Sequence, residues 1–153
     1  MSNTIAIGVD PGASGGIAFI NGDEVLAIRM PETEADILEV LGWYPGERKF
    51  AVLESVHAGP KMASSAAFKF GCGFGGLRMA LIANKIPHEL VSAVRWQKEM
   101  GLVQKGRKLG EGDSAKKQAA KRKAQELYPS IKVTHAIADA LLLATFCKRT
   151  YGK

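Results

Sequence analysis

Cysteine is scarce in this chain of 153 residues: there are two, Cys72 and Cys147, and neither sits in a CxxC pair. That argues against a structural zinc site and fits a reducing, cytoplasmic setting. Long apolar runs are missing too. No window of about 18 residues is uninterruptedly apolar, so no membrane span is expected. The opening MSNTIAIGVD has no basic segment ahead of a long apolar stretch, so no signal peptide is expected. Repeats and low-complexity tracts are absent. What remains is ordinary for a globular chain, 46% hydrophobic and 24% charged, which argues against disorder. The length suits a single domain over 1–153 with a sizeable core.

Acids are in short supply in one segment. Residues 95–132 hold eleven Lys or Arg against Glu99, Glu111, Asp113 and Glu126, which makes the segment +7 in a chain whose net charge is +6. The rest sums to −1. A basic block beside a near-neutral body points to a polyanion such as nucleic acid. The alternative is a solvated, lysine-rich helix face.

Periodicity predicts three opening strands, 4–10 (TIAIGVD), 15–21 (GGIAFIN) and 24–29 (EVLAIR), with Asn21-Gly22 as a tight hairpin turn. A helix follows over 32–41, stopped by Gly42, and then a strand over 50–56 (FAVLESV). The stretch 64–83 is rich in Ala, Phe, Leu and Met, and 76–84 is clearly helical. A fifth strand is expected at 86–91, then a helix over 92–100, a Gly-rich loop over 101–112, and helices at 114–127 and 134–148. The order βββ-α-β-α-β-α-α-α predicts an α/β fold. It is a five-stranded mixed sheet led by an antiparallel meander, with helices on its faces.

Three acids stand in apolar surroundings: Asp10 at the end of the first strand, Glu54 inside FAVLESV, and Asp139 inside AIADALLLA. An isolated buried carboxylate is costly, so such groups are paired, hydrogen-bonded or bound to metal. Three converging acids repel unless a cation neutralises them, and oxygen ligands favour hard ions such as Mg²⁺ or Mn²⁺. Separate salt bridges or helix caps are the competing explanation. His135 lies four residues before Asp139, on the same helix face. An imidazole there ligates a metal, orients water, shuttles a proton, or does none of these.

The segments GVDPGASGGIAF, LESVHAGPKMASSAAFKFG and HAIADALLLA, taken in that order, resemble the RuvC-like Holliday junction resolvases, closest to the small phage-type members. The resemblance runs over most of the chain and implies the ribonuclease H fold. It implies a structure-selective endonuclease that resolves four-way DNA junctions, acting in recombination and repair in a bacterial or phage-infected cell. It places Asp10, Glu54, His135 and Asp139 as catalytic, metal-binding residues around two Mg²⁺ ions, with Mn²⁺ as a substitute. Hydrolysis would leave 5′-phosphate and 3′-hydroxyl ends. Some members carry a further carboxylate where this chain has His135. The glycines at 12, 15 and 16 are then expected to keep the turn slim for an approaching phosphodiester.

Several DNA contacts follow from the same resemblance. Lys61, Ser64, Ser65, Phe68 and Lys69 follow the catalytic strand and would approach the scissile strand, with Phe68 as the aromatic wedge. Phe70 and Phe74 are expected in the core, and Trp96 and His88 as packing residues. Lys105, Arg107, Lys108, Lys116, Lys117 and Lys121 would grip duplex arms through phosphates, weakening steeply with salt. The resemblance also implies a two-fold homodimer, with the apolar helix 77–83 (Met79, Leu81, Ile82) as the interface. Other readings are a general branched-DNA nuclease or ribonuclease H of the same fold, and a DNA-binding module without catalysis. A nucleotide-binding lobe of the actin and sugar-kinase type is a further one.

Overall fold

Side chains along a strand alternate between faces, and here the two faces differ in size. In β1 (Ile5–Asp10) and β2 (Gly16–Asn21), the bulky Ile5, Ile7, Val9, Ile17 and Phe19 point to one core. The small Ala6 and Ala18 point to the other, with Ile20 at its rim. The computed structural model describes residues 3–103 and 113–152. It completes the sheet with β3 (Glu24–Arg29), β4 (Lys49–Ser55) and β5 (His88–Ser92) in the order β3-β2-β1-β4-β5. β3, β2 and β1 form the expected antiparallel meander; β4 runs parallel to β1, and β5 parallel to β4.

Helices cover both faces. α1 (Glu34–Leu41) and α2 (Ser64–Ala83) close the bulky face through Ile37, Val40, Leu41, Leu77, Ala80 and Leu81. α3 (Ala93–Glu99), α4 (Asp113–Leu127) and α5 (His135–Tyr151) close the other, with α5 at its centre. A Cβ on Gly8 would collide with the backbone of Ala140 and Ala144, and one on Gly16 with the carbonyl oxygen of Ala136 at 2.7 Å. The backbone of α5 therefore lies directly on β1 and β2. Gln125 secures the approach to α5: its amide donates to the carbonyls of Tyr128 and Ile131, and its oxygen accepts from Val133 N. The Tyr128 and Thr145 hydroxyls, 2.6 Å apart, tie the end of α4 to the middle of α5.

The boundaries depart from expectation for local reasons. α1 starts at Glu34 rather than residue 32, because the Thr33 hydroxyl caps it by accepting from Asp36 N. β5 starts at His88 rather than 86. Pro87 has no N–H to donate, although its carbonyl accepts from Ala51 N at 2.9 Å. α2 is helical over its whole length, not only in its second half. It is also long and apolar enough to cross a membrane by length and composition, a looser test than an unbroken apolar run. Lys69 and Arg78 interrupt it, and Leu77, Ala80 and Leu81 commit its second half to the core. Residues 104–112, most of the expected Gly-rich loop, lie outside the described residues.

The contact of α5 with β1 yields a stability test. Gly8→Ala forces a methyl group into helix backbone rather than into a flexible side chain. It should cost about 3 kcal/mol in chemical denaturation, the upper range for overpacking. A loss below about 1 kcal/mol would mean that α5 does not sit this close.

Candidate active site

Strand register brings the first two acids together. Val9 pairs with Leu53 across the parallel β1–β4 ladder, so the next residue on each strand is a carboxylate, Asp10 and Glu54. Their even-numbered parity is that of Ala6, Gly8 and Val52, which places them on the side of α5. α5 runs back along β1, with Ala140–Ala144 over Gly8 and Ala136 over Gly16, so its N-terminal turn ends beside Asp10. That turn carries His135 and Asp139 at helical neighbour spacing.

The electrostatics show the convergence. Burial first, then the charges of Asp139 and Glu54, push the Asp10 carboxyl up to about 8 from its ordinary 3.8. Glu54 is raised by burial and by Asp139, against a hydrogen bond from Trp96 that lowers it. Asp139 is raised by burial, while Lys117 and His135 pull it down. Each acid thus lies in the field of another. A cleft of about 410 Å³ opens beside them, walled by Asp10, the turn Pro11–Gly15, Phe70, Lys117, His135 and Asp139. Glu54 lies outside that wall, with its Oε2 accepting from Trp96 Nε1 at 2.6 Å. Among the described residues, no three His, Cys, Asp or Glu side chains stand close enough together to hold a metal ion as they are placed. The donor set itself, three carboxylates and an imidazole short of compensating charge, fits a hard divalent cation.

Two glycines of the turn have a packing duty beside the one expected. A Cβ on Gly15 would meet the Asp10 carbonyl, and one on Gly16 would meet Ile28 and Ala136 backbone, so both serve internal packing. Gly12 and Gly15 both line the cleft, Gly12 at φ +101° with the Phe70 ring beside it.

No protein-family model matches the chain, and no curated protein matches it. Solved structures do. Thermus thermophilus RuvC superimposes with a TM-score of 0.62 at 15% identity, covering 97% of each chain. T. thermophilus RuvC in complex with Holliday junction substrate gives 0.64 at 15% identity, again covering 97% of each. The chain has the RuvC fold. The ribonuclease H-like α/β architecture expected from the sequence is thereby the observed one, and at this identity the likeness carries architecture alone.

On this RuvC-like frame the expected DNA contacts scatter. Lys117 lines the cleft, and Lys116 borders a smaller hollow behind Asp139 with Gln97 and Leu102. Lys121 lies one turn beyond Lys117 on α4. Lys61, Ser64, Ser65, Phe68 and Lys69 are exposed at and before the start of α2, and none of them lines the cleft. Lys105, Arg107 and Lys108 lie outside the described residues. Phe70 corrects an expectation: it is not core but a wall of the cleft. The spacing Phe70, Phe74, Leu77, Leu81 marks the face of α2 that packs onto the sheet, but not where the edge of the sheet lies beneath it. Leu81 is a second correction; it is fully buried under the sheet and unavailable to an interface. His88 bonds the Ile86 carbonyl just before its strand, and His57 is exposed after β4. Trp96 packs as expected, and its indole N–H reaches Glu54, a bond signalled only by the rule that a buried indole needs an acceptor.

The raised Asp10 sets a pH dependence. Between its unfolded value of 3.8 and its folded value of about 8, the folded chain holds a proton that the unfolded chain has lost. Stability is then full below 3.8, is lost as pH rises through that window, and levels off above it. In chelator at pH 8, Asp10→Asn should raise the melting temperature by about 5 °C, as ~1.5 kcal/mol does in a domain this size. At pH 4 the gain should vanish. An equal gain at both values would remove Asp10 as the source.

Proposed function

We propose that this protein is a structure-selective DNA endonuclease that resolves four-way junctions by metal-dependent phosphodiester hydrolysis. The observation that carries the reading is the register that makes Asp10 and Glu54 neighbours at one end of the sheet, beside the α5 turn that bears His135 and Asp139. The RuvC fold supports it, and one RuvC of that fold was determined with a Holliday junction substrate. Asp10, Glu54, His135 and Asp139 would hold two divalent cations, Mg²⁺ with Mn²⁺ as substitute. Bound there, such ions supply a nucleophilic hydroxide from water and neutralise charge on the phosphate and the departing oxygen.

The chain's own residues have separate tasks. Lys117 reaches the cleft wall as a cation and meets the phosphate. His135, one turn before Asp139, completes the ligand set or takes the water's proton. Attack at phosphorus breaks the P–O3′ bond, leaving a 5′-phosphate and, after protonation, a 3′-hydroxyl. Lys116 and Lys121 extend the cationic track away from the cleft along α4 for a duplex arm.

A synthetic four-way junction offered in competition with linear duplex should be cut first, in Mg²⁺ and not in chelator. Asp10→Asn should slow cutting by about three orders of magnitude, ~4 kcal/mol of barrier, while junction binding at low salt persists. Equal cutting of both substrates points to a general nuclease, and cutting in excess chelator removes the metal from the mechanism. Binding of the junction without cutting in Mg²⁺ or Mn²⁺ favours a non-catalytic module.

A homodimer completes the reading, because a junction presents two symmetric cleavage points. The second half of α2 offers Met79 and Ile82, 62% and 55% exposed, opposite its buried Leu77 and Leu81. Light scattering should give twice the chain mass at micromolar concentration. Met79→Glu with Ile82→Glu should give a folded monomer. A wild-type monomer would end the proposal.

A further inference from the structure

We propose that Trp96 is a positioning residue for Glu54, its indole N–H holding Oε2 so that the carboxylate presents a single oxygen, Oε1, to a cation. This rests on the nuclease reading. The bond spans 42 residues of sequence at 2.6 Å and joins α3 to β4. Trp96 is completely buried, packed in the core that holds Val52, Val91, Ala120 and Ala124. Its ring has no room to swing, so the direction of its donor is set by packing.

Packing alone does not require that donor. The site could be filled by a hydrocarbon ring, and an indole brings an N–H that must find an acceptor. The acceptor here is not a backbone carbonyl but one of the three acids of the site. Among the described residues, Asp10 and Asp139 have no side-chain hydrogen bond of this kind; Glu54 does. A glutamate has one more rotatable bond than an aspartate, and so has more freedom to lose on binding a cation. Fixing one of its oxygens in advance removes that freedom. Hydrogen bonds to a ligating carboxylate are commonly worth about 10–100-fold in metal affinity or activity.

The test uses the full chain with Trp96→Phe, which keeps an aromatic ring, and site-specific replacement of Trp96 by benzothienylalanine, which puts sulfur in place of the N–H. The second variant keeps the shape of the indole and decides the matter if the first fails to fold. Free Mn²⁺ is titrated against protein without DNA, by electron paramagnetic resonance. Half-saturation should move up by about 10–100-fold in both variants. Junction cleavage at limiting Mg²⁺ should lose kcat with KM unchanged, and excess Mg²⁺ should restore it. In ¹⁵N-labelled protein, Glu54→Gln should move the indole N–H signal of Trp96 and leave that of Trp43 in place. A purely structural Trp96 lowers the melting temperature without moving the Mn²⁺ midpoint. An isostere that binds Mn²⁺ and cuts like wild type overturns the inference, as does a wild-type chain that binds no Mn²⁺. If wild type binds Mn²⁺ but cuts no junction, the nuclease reading falls, and the Mn²⁺ comparison still decides the role of Trp96.

Discussion

Because Gly8 and Gly16 carry no side chain, the backbone of α5 rests on the backbone of β1 and β2, with no layer of side chains between them. Most helix-on-sheet contacts are spaced by interdigitating side chains, and these give by repacking. This one has little to repack. The height and axial position of α5 are therefore set by hard contact, and Asp139 and His135 inherit that position. The small residues on this face and the large ones on the other are two consequences of the same asymmetry. The bulky face buries Ile, Val and Phe under α1 and α2 and supplies cohesion. The small face provides position.

The electrostatics follow from that geometry. Burial acts on all three acids, and each also feels a like charge or is felt by one. The relief available from the protein is uneven: Lys117 and His135 act on Asp139, and Trp96 on Glu54. Asp10 has neither, and its carboxyl is the one pushed up to about 8. The unmet demand for positive charge is thus concentrated at the end of β1, beside the cleft. The basic block of the sequence sets Lys117 on the cleft wall beside the acids and its other α4 cations along the approach to them. Acids that repel one another inside a cationic surround can accept a polyanion and a divalent cation together, which either charge alone would not arrange.

The strands, the opening meander and the three acids were legible in the sequence because each leaves a local pattern. β-branched runs, the Asn21-Gly22 turn and isolated acids in apolar windows need no tertiary knowledge. Phe70 and Trp96 were not legible in the same way. The role of Phe70 depends on where the edge of the sheet lies beneath α2, and that of Trp96 on a partner 42 residues away. Both are set by packing between elements, which single-sequence periodicity does not encode. The glycines show a third kind of limit. Their number marked the turn as special, but conformational freedom, close helix approach and access for a ligand leave the same letter. Only the neighbours of the missing Cβ separate these causes, and for Gly15 and Gly16 the neighbour is the protein itself.

Register makes the site and the core a single constraint. Asp10 and Glu54 face α5 because they share parity with Ala6, Gly8 and Val52. A slip of one residue between a strand and its neighbours would turn Ile5, Ile7 and Val9 toward a helix that has no space for them. It would move Gly8 out from under α5 at the same step. The acids are thus held together by apolar residues that never touch them. The same argument explains how a cluster of repelling charges persists in a folded chain: the repulsion is local to the end of two strands, and separating the acids would mean giving up the packing of both faces of the sheet.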